Sequence, residues 1–165
     1  MLTSIVRTLF KPSVRMGFRL IVLAFIIVIP VNFFVAEPFI VSGISMQPTF
    51  DPGDYLVIDR LTYDIESPQR GDVVVFRYPL DPSMYLIKRI EALPGETVNE
   101  ATGQVVPRPS GEQHPLDATT STLTLASDEY FVLGDNSTES SDSRTWGPLQ
   151  RKFIVGRVLF RLWPL

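Results

Sequence analysis

Ser45 lies in Val41-Ser42-Gly43-Ile44-Ser45-Met46-Gln47-Pro48-Thr49, a stretch whose glycine and proline mark it as a turn. A serine hydroxyl becomes a nucleophile only when a neighbouring base takes its proton. The chain has no cysteine and one histidine, so candidates for that base are few. The histidine, His114, stands in Gly111-Glu112-Gln113-His114-Pro115, which reads as a solvated loop. Lys88 is the better candidate, in Met84-Tyr85-Leu86-Ile87-Lys88-Arg89-Ile90-Glu91. If that segment is a strand, Met84, Leu86, Lys88 and Ile90 share one face, while Arg89 and Glu91 share the other. A lysine in an apolar row loses the solvation of its ammonium, and its pKa falls from about 10.4 toward neutrality. An amine so shifted can act as a general base. Taken alone, Lys88 reads rather as a side chain that snorkels from an edge strand or blunts that edge. Beside Ser45 the catalytic reading is preferred, because Ser–Lys is an established nucleophile–base arrangement.

Ser45 also follows closely on the longest charge-free apolar run, Leu20–Ala36, whose 17 residues are bounded by Arg19 and Glu37. As a helix the run spans about 26 Å, and Gly17–Phe18 extend it toward the thickness of a bilayer core. Pro30 can kink such a helix, and Asn32 is tolerated within it. Residues 1–36 carry Arg7, Lys11, Arg15 and Arg19 and no acid, a balance of +4. The remainder has 11 basic and 18 acidic residues, a balance of −7. Basic residues before a span retain the N-terminus in the cytoplasm, so the rest of the chain is expected outside. Its acidic balance argues against a nucleic-acid partner. A cleaved signal peptide fits the basic start and the apolar core, but not the end. Cleavage after Ala36 would place Phe34 at −3 and Pro38 just past the cut, where small residues are required. The expected organisation is a cytoplasmic segment 1–16, a transmembrane helix 17–36 and an extracytoplasmic β-domain 37–165.

Beyond the anchor, apolar and β-branched runs at Tyr55–Ile58, Val73–Tyr78, Met84–Ile90, Tyr130–Leu133 and Phe153–Leu162 predict strands. Asp51-Pro52-Gly53-Asp54 and Leu93-Pro94-Gly95-Glu96 separate them as turns. No sustained helical period follows the anchor. Residues 99–127 are polar and read as an excursion from the core, in the form of a small hairpin subdomain. Without cysteines, disulfides and thiolate metal sites are excluded.

A third constellation follows Tyr130–Leu133: Gly134-Asp135-Asn136-Ser137-Thr138-Glu139-Ser140-Ser141-Asp142-Ser143-Arg144-Thr145-Trp146-Gly147. It is a poor calcium loop, since an EF-hand would want glycine at Ser140 and glutamate at Trp146. Asn136-Ser137-Thr138 is a formal glycosylation sequon, meaningful only in a eukaryotic secretory pathway. Arg70-Gly71-Asp72 leads directly into Val73-Val74-Val75-Phe76 and reads as a turn entering a buried strand.

Together these stretches resemble the type I signal peptidases, membrane serine proteases with a Ser/Lys dyad. The resemblance runs over nearly the whole chain. It passes from the anchor through Gly43-Ile44-Ser45-Met46-Gln47-Pro48-Thr49, Arg70-Gly71-Asp72-Val73-Val74-Val75-Phe76 and Tyr85-Leu86-Ile87-Lys88-Arg89 to Gly134–Gly147. It implies a mainly β fold: an antiparallel catalytic domain of signal peptidase type behind one N-terminal transmembrane helix. Ser45 would be the acylated nucleophile, and Lys88 the base that activates it and then the deacylating water. Ser140 would orient the Lys88 amine, with Asp142 and Arg144 as a supporting ion pair. The Ser45 N–H would be one oxyanion donor. Gly43 occupies the position where some members place a serine hydroxyl as the second donor, and Ser42 is one residue out of register. Phe39, Val41, Met46 and Ile87 would wall shallow pockets for small side chains.

The resemblance further implies removal of signal peptides from exported preproteins after small residues at −3 and −1. The extended substrate would bind by adding a strand to a sheet edge. No metal or organic cofactor is implied. The partners are preprotein signal peptides and the lipid bilayer, near the protein-export machinery. The location implied is a cell membrane crossed once, with organellar inner membranes as the related alternative. A dedicated maturation peptidase for one pilin or surface protein, and a catalytically silent anchored β-module serving as an export scaffold, are the rival readings.

Overall fold

The computed structural model describes residues 16–26, 36–107 and 121–163. It separates into two units, Met1–Ala36 and Glu37–Leu165. In the first, residues 16–26 are helical and their side chains are largely exposed. Among the described residues no helix is long and apolar enough to cross a membrane. The expected span 17–36 includes residues 27–35, which lie outside the described residues, as do His114 and most of the basic segment 1–16.

The second unit is built on strands. They are β1 (Ala36–Ile40), β2 (Tyr55–Asp59), β3 (Val73–Tyr78), β4 (Asp81–Ala92), β5 (Thr97–Asn99), β6 (Val105–Val106), β7 (Thr122–Thr124), β8 (Glu129–Leu133), β9 (Leu149–Gln150) and β10 (Ile154–Trp163). Seven form one sheet in the order β1-β2-β10-β3-β4-β8-β9, and β6-β5-β7 form a second of three strands. Every pairing with a defined register is antiparallel. The five expected strands are all present, with ends moved by a few residues. β1 was not foreseen, because Ala36-Glu37-Pro38-Phe39-Ile40 is short, holds a charge and a proline, and has no run of apolar or β-branched residues to mark it. Residues 99–127 contribute β6 and β7, which pair antiparallel with β5.

The β-branched run Val73-Val74-Val75 explains why β3 sits near the middle of the large sheet. Such side chains pack well on a pleated surface buried on both faces. Val74 and Phe76 join Ile90, Val132 and Leu149 in one core cluster, while Val75 joins Val41, Leu56 and Ile58 in another. β4 pairs with β3 in the register Val74↔Lys88 and Phe76↔Leu86. This register places Lys88 in a row with Leu86 and Ile90. On its other side β4 is paired with β8 only from Arg89 onward, so among the described residues no strand pairs with its earlier residues on that side.

Candidate active site

The loop from Val41 to Asp54 is closed at its neck by two backbone hydrogen bonds. Val41 N–H donates to Asp54 O at 2.9 Å, and Gly53 N–H to Val41 O at 2.8 Å. Gly53 has φ 96°, which glycine adopts without strain. Asp54 is 1% exposed, yet its carboxylate accepts from the Asp51 N–H at 3.0 Å and from Arg161 Nη1 at 2.9 Å. Burial acts to raise its pKa, but Arg161 and the Asp51 N–H outweigh that and hold it below the usual carboxylate range. The loop is thus tied to β2 and, through Arg161, to β10.

Within this frame Ser45 is half-buried, and its Oγ lies 2.7 Å from Lys88 Nζ. Lys88 is 3% exposed and also donates to the carbonyl of Ile87 at 2.8 Å. Burial drives the Lys88 pKa down to about 8, while the nearby carboxylates of Asp142 and Asp135 pull it partly back up. The amine is therefore neutral in a substantial fraction of molecules just above neutral pH. A neutral amine in contact with a hydroxyl can remove its proton.

Around this pair the structure brings most of the predicted residues together. A cleft of about 130 Å³ is lined by Phe39, Val41, Gly43 and Ile87 together with Ser45 and Lys88. Leu56, Val75, Tyr85 and Leu86 complete its apolar wall. Phe39 and Tyr85 meet edge to face with ring centres 5.4 Å apart. Met46 differs: it is fully buried and does not line the cleft. Asp142 and Arg144 form the expected ion pair, with Arg144 Nη2 and Nε at 2.7 and 2.9 Å from the two carboxylate oxygens. Asp142 is also fully buried and accepts from Gly134 N–H at 3.1 Å. Burial works to raise its pKa, but the Arg144 guanidinium and the other donors keep it low.

Ser140 departs from expectation. Its hydroxyl is buried and close enough to Asp142 to help hold that carboxyl low, yet its geometry falls short of a hydrogen bond to any described group. The second partner of the Lys88 amine is the Ile87 carbonyl instead.

Several residues beside the site were given no role there from the sequence. Arg89 grips Asp135 with Nε and Nη2 at 2.8 and 2.7 Å, and Thr49 donates its hydroxyl to the same carboxylate. Asn136 donates its N–H to Ser45 O at 3.0 Å and its side-chain amide to Ile44 O at 3.3 Å. A Cβ on Gly134 would collide with the Ser45 carbonyl and the Ser140 hydroxyl, so only glycine lets this segment approach the loop so closely. Of these, Gly134, Asp135 and Asn136 follow directly after the apolar β8 run, and that position was the available signal. Among the described residues no cluster of side chains could hold a metal ion.

Residues 14–163 match the family described as signal peptidase, peptidase S26. The chain belongs to this family. It is 35% identical over 163 residues to the probable signal peptidase I-1 of Synechocystis sp., covering 92% of this chain and 83% of that protein. It is likewise 35% identical over 162 residues to signal peptidase I of Leptolyngbya laminosa, covering 90% of this chain and 79% of that one. The probable thylakoidal processing peptidase 2 of Arabidopsis thaliana is 33% identical over 141 residues, with 78% of this chain and 38% of that protein covered. The protein is accordingly an enzyme of the signal peptidase I type, within the S26 serine peptidases.

Proposed function

We propose that this chain is a membrane-anchored endopeptidase that removes N-terminal signal peptides from exported preproteins, with Ser45 as nucleophile and Lys88 as general base. The observation that carries this reading is the 2.7 Å contact between Ser45 Oγ and an amine that is 3% exposed. Neutral Lys88 accepts the hydroxyl proton as Oγ adds to the scissile carbonyl carbon. The resulting tetrahedral oxyanion is met by the Ser45 N–H. Lys88 then passes its proton to the leaving amine, the C–N bond breaks, and the signal peptide remains as an ester on Ser45. In the second half Lys88 deprotonates a water that attacks the ester, releasing the peptide's carboxylate and regenerating the hydroxyl.

The apolar cleft supports the substrate side of the reading. About 130 Å³ walled by Phe39, Leu56, Val75 and Ile87 suits methyl-sized side chains. The edge of β4 ahead of Arg89, which no described strand pairs, can accept an extended peptide by strand addition. The test is incubation of the detergent-solubilised protein with a preprotein bearing Ala at −3 and −1. Cleavage at that junction is expected, together with its loss in Ser45→Ala and Lys88→Met, because the two act as one unit. Activity retained in either variant, or equal cleavage after Leu or Phe at −1, refutes the assignment.

A further inference from the structure

We infer that Asn136 is a positioning residue whose side-chain amide fixes the direction of the Ser45 N–H, the oxyanion donor. This inference rests on the proposed role of Ser45. A planar trans peptide holds its C=O and N–H antiparallel, so whatever orients the Ile44 carbonyl also orients the Ser45 N–H. The Ile44–Ser45 bond is trans, the one cis bond among the described residues being Gln47–Pro48. Ile44 O accepts two N–H groups: Gln47 of its own turn at 3.2 Å, and Asn136 Nδ2 across the site at 3.3 Å. Both lie on the carbonyl side of the peptide plane, leaving the Ser45 N–H to point the other way. Residues 42, 43 and 45 border the cleft, and Asn136 belongs to the separate polar depression with Gln47, Pro48 and Asp51. Among the described residues nothing accepts from the Ser45 N–H, so this donor is unspent and available to an oxyanion.

Two further contacts show that the Asn136 amide is held for this purpose. The Thr138 hydroxyl donates to Asn136 Oδ1 at 3.1 Å, which sets the amide with its NH₂ toward Ile44. The Asn136 backbone N–H donates to Ser45 O at 3.0 Å, so one residue grips two consecutive carbonyls of the loop. A donor fixed before the reaction stabilises developing charge without reorganising, and removing such a donor outright costs about 10²–10³ in kcat. Releasing one of its two restraints should cost less.

The test uses the full chain in detergent, with the preprotein as substrate and a peptide aldehyde bearing Ala at the −1 and −3 positions as inhibitor. Addition of Ser45 Oγ to the aldehyde carbon forms a hemiacetal whose oxygen sits where the oxyanion develops. Asn136→Ala should lower kcat roughly tenfold and weaken the aldehyde by a similar factor. KM should stay within about twofold, and the ascending limb of the pH profile should not move. Asn136→Asp should be worse, because a carboxylate would face the Ile44 carbonyl, and Thr138→Val should show a smaller loss in the same two quantities. A loosened loop would instead raise KM or lower Tm while leaving aldehyde affinity in step with substrate affinity. Asn136→Ala with kcat and aldehyde affinity near wild type overturns the inference, as does a loss confined to KM. Should that variant not fold, Thr138→Val and Asn136→Asp decide by the same two ratios. If Ser45→Ala cleaves as well as wild type, it is the proposed nucleophile that fails, a separate outcome from either.

Discussion

At Lys88 two electrostatic effects oppose each other, and under the proposed mechanism their order sets the working pH. Burial lowers the pKa and is the larger; Asp142 and Asp135 raise it, and the balance lies at about 8. The profile of kcat/KM should therefore rise with pH through a midpoint near 8 as the free enzyme's amine loses its proton. Asp142→Asn removes a carboxylate that favours the ammonium, so the limb should move toward lower pH. A limb that stays in place, or moves upward, would show that Asp142 does not act on Lys88 through its charge. The same variant leaves Arg144 without its buried partner, so reduced stability is expected alongside the shift. Gly43 offers a second test at this scale. It borders the cleft, a Cβ there meets nothing within 4 Å, and its φ is not positive, so serine should fit without strain. Gly43→Ser should raise kcat by up to about tenfold if its hydroxyl reaches the oxyanion. An unchanged kcat in a folded variant would show that the hydroxyl does not reach it.

The strand β4 carries Lys88 in a row with Leu86 and Ile90, and this placement costs stability for as long as the amine is charged. For a group whose folded pKa lies below its unfolded value, the unfolded chain holds more protons between the two, so stability rises with pH across that window. For Lys88 the window runs from about 8 to 10.5, and below it the penalty is on the order of 3 kcal/mol. Lys88→Met keeps the volume and removes the charge, so at pH 7 this variant should melt several degrees above wild type. A lower Tm would mean that the contacts to Ser45 and Ile87 outweigh desolvation. This row was legible in the sequence, because period-two alternation depends only on neighbouring residues. The runs that became β2, β3, β8 and β10 were legible for the same reason. β1 was hidden because its five residues include Glu37 and Pro38, and proline within a run argues against a strand. The burial of Met46 and the bonding of Asn136 were not legible either. Both depend on how the loop packs against a segment far along the chain, with Asn136 lying 92 positions from Ile44. Ser140 shows the reverse: a role carried over from the family put a hydrogen bond where the structure has a buried hydroxyl without one.

At the scale of the whole molecule, charge divides the chain as sharply as structure does. The four basic and no acidic residues of 1–36 stand against a balance of −7 in the rest, and the division into compact units falls at the same place. A domain that cleaves signal peptides on the far side of a membrane must be translocated, and a basic N-terminal flank followed by an apolar run is the arrangement that directs this. The expected topology can be read with protease added to intact cells or right-side-out vesicles. The domain after Glu37 should be digested, while a tag fused before residue 1 should survive until the membrane is opened. Replacing Arg7, Lys11, Arg15 and Arg19 with neutral residues should weaken that bias and leave part of the population with the domain protected, because the retained charge sets the orientation. Protection of the domain in the unaltered protein would place Ser45 and Lys88 on the side where signal peptides have not yet crossed. The proposed activity would then lack its substrate, whatever the chemistry of the dyad.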